Sequence, residues 1–144
     1  MRVRRIPSLL LVVSFLVAFL AGEALASKTS WTKFSGSTTG ASFSGSWISH
    51  TKKSMGGDGG WERKGTLTDT NCGDGNNVFD EAHIDGYGWS QRFYGVQCGN
   101  KYLDNTFLPG AGDLMYTHAY WHVCRDRGIL YPDNCSAIKT FTWP

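Results

Sequence analysis

The sequence predicts an all-β fold, a small antiparallel β-sandwich held by two disulfides. Three observations carry that expectation. Apolar and polar residues alternate in short runs, turn-forming residues separate the runs, and four cysteines lie between Cys72 and Cys135. Alternation with period 2 is the strand signal, and turns at short intervals favour hairpins. No helical period competes with it.

The chain begins with Arg2, Arg4 and Arg5, followed by a nearly unbroken apolar run from Ile6 to Leu20 and then Ala24-Leu25-Ala26. A basic start, an apolar stretch short for a membrane span and an A-x-A site read as a secretory signal over residues 1–26. The expected cut falls between Ala26 and Ser27, and a retained membrane anchor is the alternative. Arg4-Arg5 lacks the rest of a twin-arginine motif, which favours the general secretory route. The expected location is extracellular, with no membrane attachment after cleavage.

Removing the signal changes the electrostatics. The full chain carries 14 Lys and Arg against 12 Asp and Glu, a formal +2. Three of those cations and Glu23 leave with the signal, so the remainder is formally neutral. A nucleic-acid-binding domain needs a net basic surface, so that class is not expected.

Residues 27–60 are rich in Ser, Thr and Gly, as in Ser35-Gly36-Ser37-Thr38-Thr39-Gly40 and Met55-Gly56-Gly57-Asp58-Gly59-Gly60. Such composition reads as linker. Trp31, Phe34, Phe43 and Trp47 are nevertheless spaced along it. One reading packs these aromatics back onto the domain as extra strands. The other makes residues 27–60 an extended recognition arm, with Trp31, Phe34, Phe43, Trp47, Lys28 and Lys33 as partner-binding residues. Charge divides along nearly the same boundary, with residues 27–64 at +4 and residues 65–144 at −4, so the segment could fold onto its own domain or be offered to a partner. A basic, aromatic segment suits an acidic cleft on a partner.

The sandwich is expected over residues 61–144. Thr66-Leu67-Thr68 suggests a strand that ends in the turn-rich stretch 69–75. Val78, Ala82 and Ile84 alternate with Phe79, Glu81 and His83. Asp85-Gly86 then marks a turn, and Trp89 to Gln97 reads as the returning strand of a hairpin. Leu114 to Cys124 forms a longer β-type run, and Ala137 to Trp143 closes the chain in alternation. A domain this small is marginal on its core alone, so disulfides make physical sense. Cys72, Cys98, Cys124 and Cys135 are too spread for the usual zinc clusters. An even count in an exported chain reads as two bridges, for which three pairings exist. Cys72–Cys98 and Cys124–Cys135 are favoured. The second pair closes a short loop containing the turn formers Gly128, Pro132 and Asp133.

Candidate chemistry is sparse. His118 and His122 would share a metal on a helix, but on a strand they stand about 13 Å apart. They are expected to line a polar face with Tyr120. Glu81, His83 and Asp85 would share a strand face beside Asp80, where carboxylates could do acid–base work on a glycan; a solvated face is the plainer alternative. Residues 69–80 lack the ligand order of a calcium loop. No G-x-S-x-G is present and the cysteines are spent on disulfides. No catalytic residue, metal or cofactor is therefore expected.

Four segments carry a resemblance. They are the stretch from Gly65 through Cys72 to Gly75, Glu81-Ala-His-Ile-Asp85-Gly-Tyr-Gly-Trp89, Trp121-His-Val-Cys124-Arg-Asp, and Asp133-Asn-Cys135-Ser with the closing Phe141-Thr-Trp-Pro144. Together they resemble a family of small exported actinomycete proteins with disulfide-bonded β-sandwiches. With the aromatic segment in front, the chain resembles the small adaptor subunit of umbrella toxin particles. The resemblance implies a non-enzymatic adaptor within a secreted antibacterial toxin complex. Its globular domain would hold a toxin-bearing stalk protein, and its arm would enter a cleft of a lectin-like propeller subunit. A small secreted hydrolase, or a free-standing antibacterial or inhibitor protein, is the alternative.

Overall fold

A computed structural model describes residues 30–50, 60–91, 96–107 and 117–142. The expected signal, Lys28, residues 51–59 of the linker-like segment, residues 92–95 of the expected return strand, residues 114–116 of the longer β-type run and Trp143 lie outside the described residues.

The fold is all-β, with two antiparallel sheets facing each other. The first sheet has the order β1 (Thr32–Thr38), β2 (Ala41–His50), β3 (Gly60–Asp69) and β6 (Asn100–Phe107). The second runs β5 (Ser90–Gln91), β4 (Val78–Ile84), β7 (His118–Arg125) and β8 (Asn134–Cys135), with β9 (Lys139–Thr142) also pairing β7. The hairpin expected after Asp85-Gly86 is present at both ends, through the β4–β5 pairing and a bridge between Val78 and Val96. The long partner of β4, however, is β7.

The separate arm is the main correction. Residues read as linker supply β1 and β2, and β2 is a central strand paired along its length with both β1 and β3. The turn between them is the pair Thr39-Gly40, with Gly40 at φ 90°, a conformation that costs glycine little. Phe43 and Trp47 are buried in the core, and Phe34 packs against it. Phe34 meets the rings of Trp121 and Phe141 edge-on, each at 5.0 Å, which ties β1 to the opposite sheet. The sandwich therefore starts near Thr32, not at Trp61.

Two close approaches explain the glycines. A Cβ at Gly36 would stand 2.6 Å from the Trp121 ring. Gly45 and Gly65 face each other across β2 and β3, and a Cβ on either would strike the facing strand's backbone first and then the ring of Phe43. These positions let large rings and neighbouring strands approach the backbone closely.

Trp61, Trp121, Leu67, Leu103, Val78 and Val123 complete the centre. A charge pair joins the two sheets through it. Arg63 of β3 donates to both carboxylate oxygens of Asp80 on β4, at 2.6 and 2.7 Å. Trp121 Nε1 donates to the same carboxylate at 2.7 Å. Both side chains of the pair have 0% exposure. Arg63, counted above in the basic segment, is therefore neutralised inside the core. Removing one member of such a pair leaves an uncompensated buried charge, which is far more costly than losing a surface bridge.

The disulfides are Cys72–Cys98 and Cys124–Cys135. The first ties the turn after β3 to the entry of β6. The second closes the β7–β8 connection. Two bridges fit an oxidising environment.

Candidate functional sites: a histidine face and an apolar finger

The outward face of β4 and β7 gathers the polar residues singled out from the sequence. Period 2 on each strand and the antiparallel register set Glu81 opposite His122 and His83 opposite Tyr120. His122 Nε2 lies 2.6 Å from Glu81 Oε1. Asp85 lies 3.2 Å from His118 Nδ1 and also bonds the Tyr120 hydroxyl. That hydrogen bond, with smaller contributions from desolvation and the Asp85 charge, raises the Tyr120 pKa above its ordinary 10.0.

Aromatic stacking holds the face together. His83 stacks on Tyr120 at 4.6 Å and meets Trp89 edge-on at 4.4 Å. Trp89 lies flat over His122 at 4.3 Å. His118 and His122 therefore line one face with Tyr120, as expected, each turned to a different carboxylate. Asp80, next to Glu81 in sequence, points the other way into the core.

A second surface was not singled out from the sequence. The connection from β7 to β8 carries Ile129, Leu130 and Tyr131 at 103%, 83% and 61% exposure. Side chains of this size normally shed water. The loop holds itself in shape. Gly128 N donates to Asp126 Oδ1 at 2.7 Å, Arg127 N to Asp133 Oδ1 at 3.3 Å, and Tyr131 N to Gly128 O at 3.4 Å. The Arg127 guanidinium lies over the Tyr131 ring at 5.2 Å. The Cys124–Cys135 bridge closes the base. The sequence signal was an apolar triplet between turn formers inside a cysteine-closed loop.

The residues assigned to the arm separate into two sets. Phe34, Phe43 and Trp47 face inward and cannot anchor a partner while the domain is folded. Trp31 and Lys33 lie on the outer side of the first sheet, where Lys64 Nζ stands 3.8 Å over the Trp31 ring. Lys33 is exposed on β1, the edge strand of that sheet.

Set against known families, curated proteins and solved structures, the chain matches none.

Proposed function

We propose that this chain is a secreted, non-enzymatic binding module that joins larger secreted proteins, in the manner of the umbrella toxin adaptor it resembles. The observation that carries the reading is the apolar finger. Three large apolar side chains stand in solvent on a loop that a disulfide and local hydrogen bonds already fix. Exposed apolar residues on a rigid base suit insertion into a partner's pocket, because little conformational entropy remains to be lost on binding.

The basic segment enters this reading in reduced form. Its outward groups, Trp31 and Lys33, and the edge of β1, unpaired among the described residues, offer a second contact, by side-chain packing or by addition of a partner strand. Two separate contact surfaces suit a protein that links a stalk protein to a lectin-like subunit.

The hydrolase alternative draws no support from the histidine face. Glu81 and Asp85 are four residues apart along an extended chain, roughly 13 Å by rise. Paired glycosidase carboxylates stand about 5–9.5 Å apart. Here each carboxylate is also engaged by a different histidine.

The test is purification of the tagged protein from culture supernatant of the producing organism. Stoichiometric co-purification with larger secreted proteins, lost on the double change Ile129→Ser with Leu130→Ser, is the expected result. A lone monomer, or a partner retained by the folded double variant, would overturn the reading.

A further inference from the structure

One corner of the second sheet holds four metal-ligating side chains from three adjacent strands. The ligand atoms of Glu81, His122, Cys124 and Cys135 all lie within 4.8 Å of one another. Register puts them there. Glu81 is directly opposite His122, Cys124 is directly opposite Cys135, and His122 and Cys124 are two apart on β7. Period 2 turns that pair to the same face, so two cross-strand pairs sit side by side. Sheet pairing here does what C-x-x-C spacing does in a sequence-local site.

We propose that these four residues form a zinc site when the Cys124–Cys135 disulfide is reduced. The inference does not depend on the adaptor reading. Two thiolates, an imidazole and a carboxylate are a borderline-soft, four-donor set that suits tetrahedral Zn2+ and falls short of the oxygen ligands that Ca2+ needs. In a tetrahedral site with Zn–S about 2.3 Å and Zn–N or Zn–O about 2.0–2.2 Å, ligand atoms stand roughly 3.3–3.8 Å apart. Closing on a metal shortens the longest of these separations by about 1–1.5 Å, while the two sulfurs, freed from their bond by reduction, and the His122–Glu81 pair move apart to the tetrahedral spacing. His122 Nε2 is the nitrogen that points into the corner, toward Glu81, and Trp89 stacked on the ring holds that orientation.

The exchange balances. A dithiol reductant becomes a disulfide, and its two electrons and two protons convert the Cys124–Cys135 bond into two thiols. Zn2+ then takes the place of the thiol protons, which pass to solvent. Two Zn–S bonds form, with one bond to His122 Nε2 and one to a Glu81 oxygen. The metal ties β7 to β8 where the disulfide did, so the apolar finger stays anchored in either redox state.

The test uses the full chain, reduced with a phosphine under anaerobic conditions, with Zn2+ and Co2+ as probes. The expected result is about one Zn2+ per reduced chain and no uptake at that site by the oxidised chain. Bound Co2+ should give the intense visible bands of a tetrahedral site and a thiolate charge-transfer band. Glu81→Ala and His122→Ala, with all four cysteines present, should each weaken binding by more than the roughly 10-fold that loss of even an outer-sphere partner produces. The double change Cys124→Ser with Cys135→Ser should abolish it. Zinc uptake unchanged by the Glu81 and His122 variants would assign the metal to loose thiols, Cys72 and Cys98 included, and overturn the proposal. So would a reduced chain that takes up no stoichiometric zinc, whether circular dichroism shows it folded or unfolded. If the double serine variant does not fold, the Glu81 and His122 variants decide alone.

Discussion

Residues 32–50 and residues 126–133 relate composition to position in opposite ways. The first stretch is dominated by Ser, Thr and Gly, yet it supplies two strands of the sandwich and three rings of its core. The second carries Ile129, Leu130 and Tyr131, yet holds all three in water. Composition averages over both faces of a strand; burial is decided residue by residue. In β2 the small polar residues Ser42, Ser44 and Ser46 face outward while Ala41, Phe43 and Trp47 are buried. In the loop no opposite sheet among the described residues faces the apolar side chains. A disulfide holds the loop, and nothing within the described residues covers it.

The difference predicts unequal responses to similar truncations. Phe43→Ala should cost about 3–5 kcal/mol of stability, the usual range for a buried aromatic. Urea denaturation checks it, and a loss below about 1 kcal/mol would return β2 to the status of an appended arm. Asp80→Ala should cost a similar 3–5 kcal/mol, because the Arg63 charge stays buried without its partner. Equilibrium unfolding reads this directly; a neutral result would mean the two sheets are not joined through that pair.

Much of the fold was legible in the sequence, and the failures have physical reasons. The turn signals and the period-2 runs after Trp61 gave the strand type, and the short loop of Gly128, Pro132 and Asp133 pointed to the Cys124–Cys135 pairing. The same period was present in Phe34-Ser35-Gly36-Ser37 and in Phe43-Ser44-Gly45-Ser46-Trp47. It was masked because the inward positions alternate rings with glycine. A glycine such as Gly36 makes sense only once Trp121 is seen above it, and that contact spans the whole domain. The inward turn of Asp80 was likewise hidden, since its partner Arg63 sits on another strand among residues that read as a basic surface. The histidine face was legible as a face. Its pairings, Glu81 with His122 and Asp85 with His118, depend on the β4–β7 register, which sequence does not print.

Smaller effects sharpen the contrast further. Replacing Cys124 and Cys135 together by Ser should lower stability by about 2–3 kcal/mol in the metal-free protein, as expected for closing a loop of this length. Thermal or denaturant unfolding with and without the bridge measures it. Leu130→Ser should change stability by no more than about 0.5 kcal/mol, since the side chain leaves water for nothing in the folded state. A larger loss would show that the finger packs onto its own domain.

The smallest expected effect is at Tyr120. Its pKa is raised, so the folded chain holds the phenol proton more tightly than the unfolded chain does. That contribution is fully present below pH 10 and is lost as pH rises through the folded value. Ultraviolet titration should show one tyrosine ionising later than usual, and Asp85→Asn should bring it back toward 10. A titration that Asp85→Asn leaves unchanged would remove Asp85 as the cause.

Native-state hydrogen exchange on the intact protein separates the two regions in one experiment. Residues 32–50 are structural members of the sandwich, and residues 126–133 are its presented surface. Amides of Phe43, Gly45 and Trp47 should exchange only through global unfolding, with the same free energy as those of Trp121 and Val123, because local openings do not reach a central strand. Amides of Ile129 and Leu130 should exchange far faster. Fast exchange along β2 with full protection on β7 would contradict the account and restore a detachable arm.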